Sequence, residues 1–266
     1  MENLTHGEGR TLQMPASRPK RARGSAASLF ARARRLHDAG HLEKAAREYR
    51  AVLAREPRHL DALHLLGVAR LEAGDYPEAI ELITKAIALG LAQPEVHNHL
   101  GLSLLRSHKP SQALASFEAA LQMKHDYSEA FCNKGFALAE LERIPESADS
   151  FRQAIEQAKP SASSPQYLAD LFLQLGRHLL TLQKPREALD SLQNAVPHCG
   201  DRAFAHCLQG LAHETLGDFD KAEDAFKRSL LVAPRYSFAH FCTGNLFMNR
   251  GMDEPALESF RLAIQR

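Results

Sequence analysis

Two histidines and two cysteines in the last third of the chain could bind a metal ion: His206, Cys207, His240 and Cys242. Imidazole nitrogen and thiolate sulfur are preferred ligands of zinc, so convergence of these side chains would make a zinc site. However, neighbouring residues on a helix point about 100° apart, and both histidines stand at a position that bulky packing residues usually take. We therefore interpret the four as core residues, and the sequence predicts no metal site.

Signatures of catalytic and cofactor-binding sites are also missing from the sequence. It contains no GxGxxG, GxxxxGK[ST], GxSxG or HExxH motif, which would indicate a nucleotide site, a nucleophile elbow or a zinc site. His213-Glu214 lacks the second histidine that a metal-binding helix needs. We therefore expect no catalytic residue, no cofactor and no enzymatic activity from this chain alone.

The overall charge is nearly balanced, with 33 basic and 32 acidic side chains and a formal net charge of +1. No apolar run approaches the roughly 18 residues of a membrane-spanning helix. The first residues also lack the apolar core of a signal peptide. Four cysteines show no C-x-x-C spacing and no pairing framework. These features predict a protein without a membrane span, located in the reducing cytoplasm.

Residues 1–25 are rich in Gly, Pro, Ser and Arg, which predicts a disordered basic tail. Its run RPKRAR could bind nucleic acid or an anionic membrane, or it could be a solvated tail or leader sequence. We favour a tail without a specific function.

Three sets of residues recur at a fixed interval over the rest of the chain. Glycines stand 34 residues apart in two series, and the step between the series is 41, which is one repeat plus seven residues. An alanine set, in which Ser147 fills one place, and a bulky set four residues later keep the same register. The three sets are Gly67, Gly101, Gly135, Gly176, Gly210 and Gly244; Ala45, Ala79, Ala113, Ala188, Ala222 and Ala256; and Tyr49, Ile83, Phe117, Phe151, Leu192, Phe226 and Phe260.

Packing explains this pattern, because two helices cross closely only where small side chains face each other. A bulky residue one turn later then fills the space beside the crossing. In the stretch 60–93, Gly74 can end the first helix in a left-handed conformation, and Pro77 suits the first turn of the second helix.

The chain resembles the tetratricopeptide repeat family over residues 26–266. The motif places read Leu66-Gly67, Leu100-Gly101 and Leu175-Gly176, with Pro57 and Pro234 closing repeats one and six. The resemblance implies an all-α fold, a right-handed superhelical solenoid of about seven helix-turn-helix repeats.

The repeats predict a division of the chain into two arrays. Residues 26–159 hold repeats one to four, 169–266 hold repeats five to seven, and 160–168 form an inserted loop. The loop could be a hinge or a binding loop, but we favour a tolerated surface insertion.

The last repeat stops within or just after its second helix. Its apolar residues Leu257, Phe260 and Ile264 are therefore expected to stay partly uncovered. This end could self-associate or contact a partner, or the chain could be the front section of a longer protein.

In the family that the chain resembles, the first helix of each repeat lines a concave groove that binds peptides through its second, fifth, sixth, ninth, twelfth and thirteenth places. The resemblance implies that parts of this groove are apolar, at Cys132, Phe136, Leu173, Phe238 and Phe241. Asparagine side chains can bind an extended backbone because each presents a donor and an acceptor. The repeats of O-GlcNAc transferase carry a ladder of such asparagines. Asn133 matches this ladder, Gln174 is a near substitute for asparagine, and His99 replaces the asparagine in repeat three. The two-carboxylate clamp of chaperone-binding members is not expected, because Phe30 and Arg34 replace its Lys and Asn. The groove candidates are His64, Asn98, His99, Arg106, Asn133, Gln174, Arg177, Asn245 and Asn249.

We therefore predict a non-catalytic protein–protein interaction scaffold or adaptor that binds a protein or peptide segment in its groove. The alternative is the substrate-recruiting module of a glycosyltransferase or sulfotransferase system, since residues 61–89 look like the front repeat arrays of such bacterial enzymes. RNA binding through the basic tail is a third hypothesis, and the mixed charge of the groove candidates argues against nucleic acid.

Overall fold

The computed structural model describes residues 24–158 and 163–265, and within these ranges it contains fourteen α-helices and no strand. Their bounds are α1 Ala26–Asp38, α2 Leu42–Leu53, α3 Leu60–Glu72, α4 Tyr76–Ala88, α5 Pro94–Arg106, α6 Pro110–Met123, α7 Ser128–Glu140, α8 Ile144–Gln157, α9 Pro165–Thr181, α10 Pro185–Ala195, α11 Arg202–Thr215, α12 Phe219–Val232, α13 Ser237–Asn249 and α14 Asp253–Ile264.

The helices pack in sequence order. Each odd-numbered helix pairs with the even-numbered helix that follows, and that helix packs against the next pair. Odd-numbered helices of neighbouring pairs also touch, as α5 does with α3 and α7. Such nearest-neighbour contacts are typical of a solenoid. The predicted all-α superhelical array of about seven helix-turn-helix repeats is confirmed.

The crossing within each repeat has the predicted packing. A Cβ built on Gly101 would lie 2.5 Å from Cε1 of Phe117, so the aromatic ring occupies the space that a side chain would need. Phe117 and Ala113 are fully buried. In repeat four, Ser147 replaces the alanine, and its buried hydroxyl donates a 2.8 Å hydrogen bond to the carbonyl of Gly135. The serine thus fits the small-residue place without leaving a polar atom unsatisfied.

The turn inside each repeat reverses the chain through one left-handed residue. Gly74 has φ of +82°, and Asp75 then caps α4, which has Pro77 in its first turn, as predicted. Repeats three to five place non-glycine residues here, such as His108 with φ of +56°. A non-glycine residue tolerates this region poorly, so these turns carry some strain.

The second array begins earlier than the sequence predicts, so the expected loop at 160–168 is too long. α9 starts at Pro165, because Ser164 caps the helix by accepting a 3.1 Å hydrogen bond from the backbone N–H of Tyr167. The Tyr167 hydroxyl in turn lies 3.0 Å from Oγ of Ser128. Part of the insertion therefore lengthens α9 and packs against the preceding repeat. Residues 159–162 lie outside the described residues.

The predicted disordered tail lies outside the described residues except for Gly24 and Ser25, and Ser25 accepts a hydrogen bond from the N–H of Ser28 to cap α1. In the last repeat, Leu257 and Ile264 are 52% and 80% exposed and Phe260 is half-buried against Gly244, so all three are partly uncovered, as expected. Self-association through this end stays a prediction. In the described part of the chain, no helix has the length and apolar character to span a membrane.

Candidate functional site

The polar candidates of repeats two to four are joined in pairs along the odd-numbered helices. His64 Nε2 lies 2.9 Å from Nδ1 of His99, and Asn133 donates a 3.0 Å hydrogen bond from Nδ2 to Oδ1 of Asn98. In each pair the second residue follows the first by 35 positions, which is one repeat plus one residue. We call these contacts the inner seam; it joins the fifth place of one repeat to the sixth place of the next.

The same offset recurs elsewhere in the array. Cys207 and Cys242, again 35 residues apart, contact each other with exposures of 0% and 2%. A hydrogen bond with Cys242, together with burial, raises the pKa of Cys207, so this thiol stays protonated at neutral pH. The thiols are core residues, as interpreted from the sequence.

The two nearby histidines do not join the thiols. His206 Nδ1 lies 3.1 Å from Oε1 of Gln209, and His240 Nε2 lies 2.9 Å from the carbonyl of Pro234. Across residues 24–158 and 163–265, no group of three or more His, Cys, Asp or Glu side chains is arranged to hold a metal ion.

Burial keeps the histidine pair of the inner seam neutral. It lowers the pKa of His64 to about 4, with the neighbouring His99 adding to the effect. Burial also lowers the pKa of His99, against a smaller opposing influence of Glu72. Two neutral imidazoles can share one N–H between their facing nitrogens, whereas two charged rings would repel. The pair therefore links α3 to α5 at neutral pH.

The asparagine pair has one buried member and one that lines a pocket. Asn98 is 6% exposed, and its Nδ2 donates a 3.4 Å hydrogen bond to the hydroxyl of Tyr127, which is itself buried. Asn133 is half-buried and uses one N–H on Asn98, so its oxygen and second N–H are available. Asn133 can therefore contact a ligand, and Asn98 holds it in place.

The remaining predicted residues are dispersed. Gln174 has its Oε1 buried without a hydrogen-bond partner among the described residues, so only its amide nitrogen could serve a ligand. Arg177 is exposed and Asn245 is half-buried. Asn249 donates a 2.8 Å hydrogen bond to Oε1 of Glu214, again with an offset of 35. The structure thus brings together only the candidates of repeats two to four.

Two of those candidates line a pocket of about 500 Å³ between α5 and α7, which we call the central pocket. Pockets that bind ligands have volumes of roughly 300–1,000 Å³. Three apolar side chains, Leu102, Leu105 and Phe136, contribute its apolar surface, and five polar residues contribute the rest. The lining residues are Tyr76, Leu102, Leu105, Arg106, His108, Asn133, Phe136 and Glu140.

Sequence reasoning named Arg106, Asn133 and, as an apolar part of the groove, Phe136, but it missed the other lining residues. Leu102 and Glu140 stand at the ninth and thirteenth places of their repeats, where the resemblance implied ligand contacts, so a signal for them existed. Tyr76 is the first residue of α4, and His108 lies in the turn that follows α5. No periodicity on the first helices could have indicated these two.

Family comparisons agree with the fold. Two family models with the description "Tetratricopeptide repeat" match the chain, one over residues 30–94 and 99–163 and the other over 203–236. Together they cover more than half of the chain. "Protein CTR9 homolog" from Arabidopsis thaliana is 28% identical over 238 residues, which make up 85% of this chain and 21% of that protein. The chain therefore spans about a fifth of the length of this curated relative.

Solved structures share the architecture. The C-terminal part of a TPR repeat-containing protein from Cytophaga hutchinsonii has a TM-score of 0.68 at 14% identity, covering 88% of this chain and 95% of that one. YrrB, whose structure is described as a TPR protein with an unusual peptide-binding site, has a TM-score of 0.58 at 25% identity. That match covers 70% of this chain and 92% of YrrB. These likenesses support the fold.

Proposed function

The chain belongs to the tetratricopeptide repeat family, and we propose that it is a non-catalytic interaction scaffold that binds an extended segment of a partner protein in its groove. Proteins of this fold are typically non-enzymatic interaction modules. The central pocket carries the proposal, because it combines apolar surface with hydrogen-bonding groups that the protein itself leaves free.

Asn133 is the residue best placed to hold a peptide backbone. Its free oxygen can accept from a backbone N–H, and its free N–H can donate to a backbone carbonyl. The inner seam fixes its side chain through Asn98, so little conformational entropy is lost when a ligand binds. The description of YrrB as a peptide-binding TPR protein adds support by analogy.

Cytoplasmic location and recruitment of substrates for a separate glycosyltransferase or sulfotransferase stay predictions from the sequence. The transferase alternative assigns the same groove-binding role to this chain, with a catalytic partner added. A transferase that co-purifies with the wild type and is lost with a groove variant would favour it.

Selection of peptides from a random display library tests the proposal. Leu102 is half-buried and lines the pocket, so Leu102→Asp places a charge there. Leu231→Asp is a matched control, because Leu231 is 85% exposed at the end of α12. Far-UV circular dichroism and urea unfolding would verify that both variants fold.

We expect selected peptides to bind the wild type and Leu231→Asp equally and to lose at least about tenfold in affinity for Leu102→Asp, since a desolvated charge disfavours apolar contact. Equal affinity for all three proteins, or failure to select any peptide, would contradict binding at this pocket.

A further inference from the structure

Two oppositely charged side chains line the central pocket, and neither is neutralised within the protein. Arg106 ends α5 in repeat three, and Glu140 ends α7 in repeat four. Both are exposed, and neither forms an ion pair or side-chain hydrogen bond with any residue in 24–158 or 163–265. By contrast, Lys134 of repeat four is paired, since its Nζ lies 3.0 Å from Oε1 of Glu118.

The repeat geometry explains why these two charges lack partners. Both stand at the thirteenth place, where the preceding repeat presents its twelfth-place residue. In repeat two that contact is polar, since His37 Nε2 lies 3.2 Å from Oε2 of Glu72. The equivalent twelfth-place residues for Arg106 and Glu140 are Leu71 and Leu105, which have no polar side-chain atom. The unpaired charges are therefore a consequence of the sequence at this part of the array.

Polar groups from three repeats line the central pocket. Repeats two and three supply the Tyr76 hydroxyl, the Arg106 guanidinium and the His108 ring. Repeat four supplies Glu140 and Asn133. A guanidinium presents five donors in a planar fork that matches a carboxylate. Glu140 lines the same pocket and would repel a second carboxylate there.

We propose that the partner segment places an apolar side chain between Leu102 and Phe136 and a single adjacent carboxylate against Arg106. This inference rests on the proposed function and specifies its ligand. The carboxylate comes from an Asp or Glu next to the apolar residue, or from a chain terminus that ends in the apolar residue; both sources offer Arg106 the same chemistry. A run of several acids is disfavoured because Glu140 lines the same pocket.

Fluorescence polarisation with defined peptides tests the inference. The probes are labelled nine-residue peptides of Gly and Ser, with a central Leu-Asp, Leu-Lys or Ala-Asp pair. Two further peptides end in Leu with a free or an amidated carboxyl group and separate the two carboxylate sources. The proteins are the wild type, Arg106→Glu and Leu102→Asp, with Arg186→Glu as the matched control because Arg186 is exposed on α10, outside the pocket.

We expect the wild type and Arg186→Glu to bind a carboxylate-bearing Leu peptide at least about tenfold more tightly than the Leu-Lys peptide, and the preference to weaken as salt is raised. Arg106→Glu should reverse this preference, so that the Leu-Lys peptide binds more tightly than the carboxylate-bearing peptide. Preference for the internal Asp identifies a side chain as the carboxylate source, and preference for the free terminus identifies a chain end.

Three results would overturn the inference. They are an unchanged preference in Arg106→Glu, equal binding of the Leu-Asp and Ala-Asp peptides, and no binding of any carboxylate peptide by the wild type. If Leu102→Asp still abolishes binding of library-selected peptides while Arg106→Glu has no effect on charge preference, the groove function stands and only the carboxylate recognition fails.

Discussion

Asn133 Nδ2 donates a hydrogen bond of 3.0 Å to Oδ1 of Asn98, which lies 35 residues earlier on the neighbouring helix. The two asparagines look alike in the sequence, but they differ in burial and in their hydrogen bonds. Asn98 is buried and also donates to the Tyr127 hydroxyl, whereas the amide oxygen and second N–H of Asn133 stay free.

Asn98→Ala should therefore destabilise the protein more than Asn133→Ala. The first change leaves the buried Tyr127 hydroxyl and the Asn133 amide without partners, which costs about 1–3 kcal/mol. The second leaves one buried acceptor, Asn98 Oδ1, without its partner, at about 0.5–1.5 kcal/mol, while the Asn98–Tyr127 hydrogen bond remains. Urea unfolding monitored by circular dichroism measures both. Equal losses would show that Tyr127 does not depend on Asn98.

Gly101→Ala should destabilise the third repeat because the new methyl group would lie 2.5 Å from the Phe117 ring. We expect a net loss of about 1–3 kcal/mol from overpacking, even though Ala favours the helix by up to about 1 kcal/mol. Gly200→Ala is the control, since the nearest atom to its Cβ is Nε2 of Gln166 at 3.4 Å. That variant should stay within about 0.5 kcal/mol of the wild type. A stabilised Gly101→Ala would mean that the ring moves without penalty.

Stability should fall as the pH drops from 7 to 5, in part because of His64. Its pKa of about 4 in the folded protein lies below the ordinary value of 6.5, so the unfolded chain binds the proton more readily. The contribution of neutral His64 to the free energy of unfolding is complete above pH 6.5 and is lost as the pH falls toward 4. One such group accounts for a loss on the order of 1–2 kcal/mol at pH 5.

His64→Gln should reduce this pH dependence, because glutamine can still bond with His99 but does not titrate. The free energy of unfolding at pH 7.5 and pH 5, measured in urea, gives the difference directly. His198→Gln is the control on an exposed histidine. An identical pH dependence in all three proteins would show that the pair is not buried in solution.

Ser164→Ala should lower stability by about 1 kcal/mol, since it removes the hydroxyl that caps α9. Ser163→Ala, one residue earlier, should have little effect. Comparison of the urea midpoints measures the difference. Equal midpoints would place the start of α9 after Pro165.

Much of the fold could be predicted from the sequence because its determinants repeat. Glycines such as Gly101 and bulky partners such as Phe117 mark six of the seven crossings, so helix number and pairing follow from the period. The start of α9 could not be placed from that period, because Ser164 and Pro165 act locally, in the one segment that breaks it. The serine and proline there were interpreted as loop formers, although Ser-Pro is equally an N-cap followed by a first-turn proline.

The site was less predictable for a geometric reason. Periodicity indicates which face of a helix is buried, but the rotation between successive repeats decides which residues meet. The pairing of His64 with His99 depends on an offset of one residue beyond the repeat, and the sequence period does not contain that offset. The charges at Arg106 and Glu140 are free for the same reason, since their neighbours at that offset are leucines.

The inner seam also makes each repeat specific for its neighbour. One junction joins imidazole to imidazole, the next joins amide to amide, and a later one joins thiol to thiol. Exchanging two internal repeats would set an amide against a thiol, or an imidazole against an amide, although every glycine crossing would remain intact. The repeats share one backbone plan but are not interchangeable. The side chains of the first helix of each repeat therefore determine the order of the repeats along the chain.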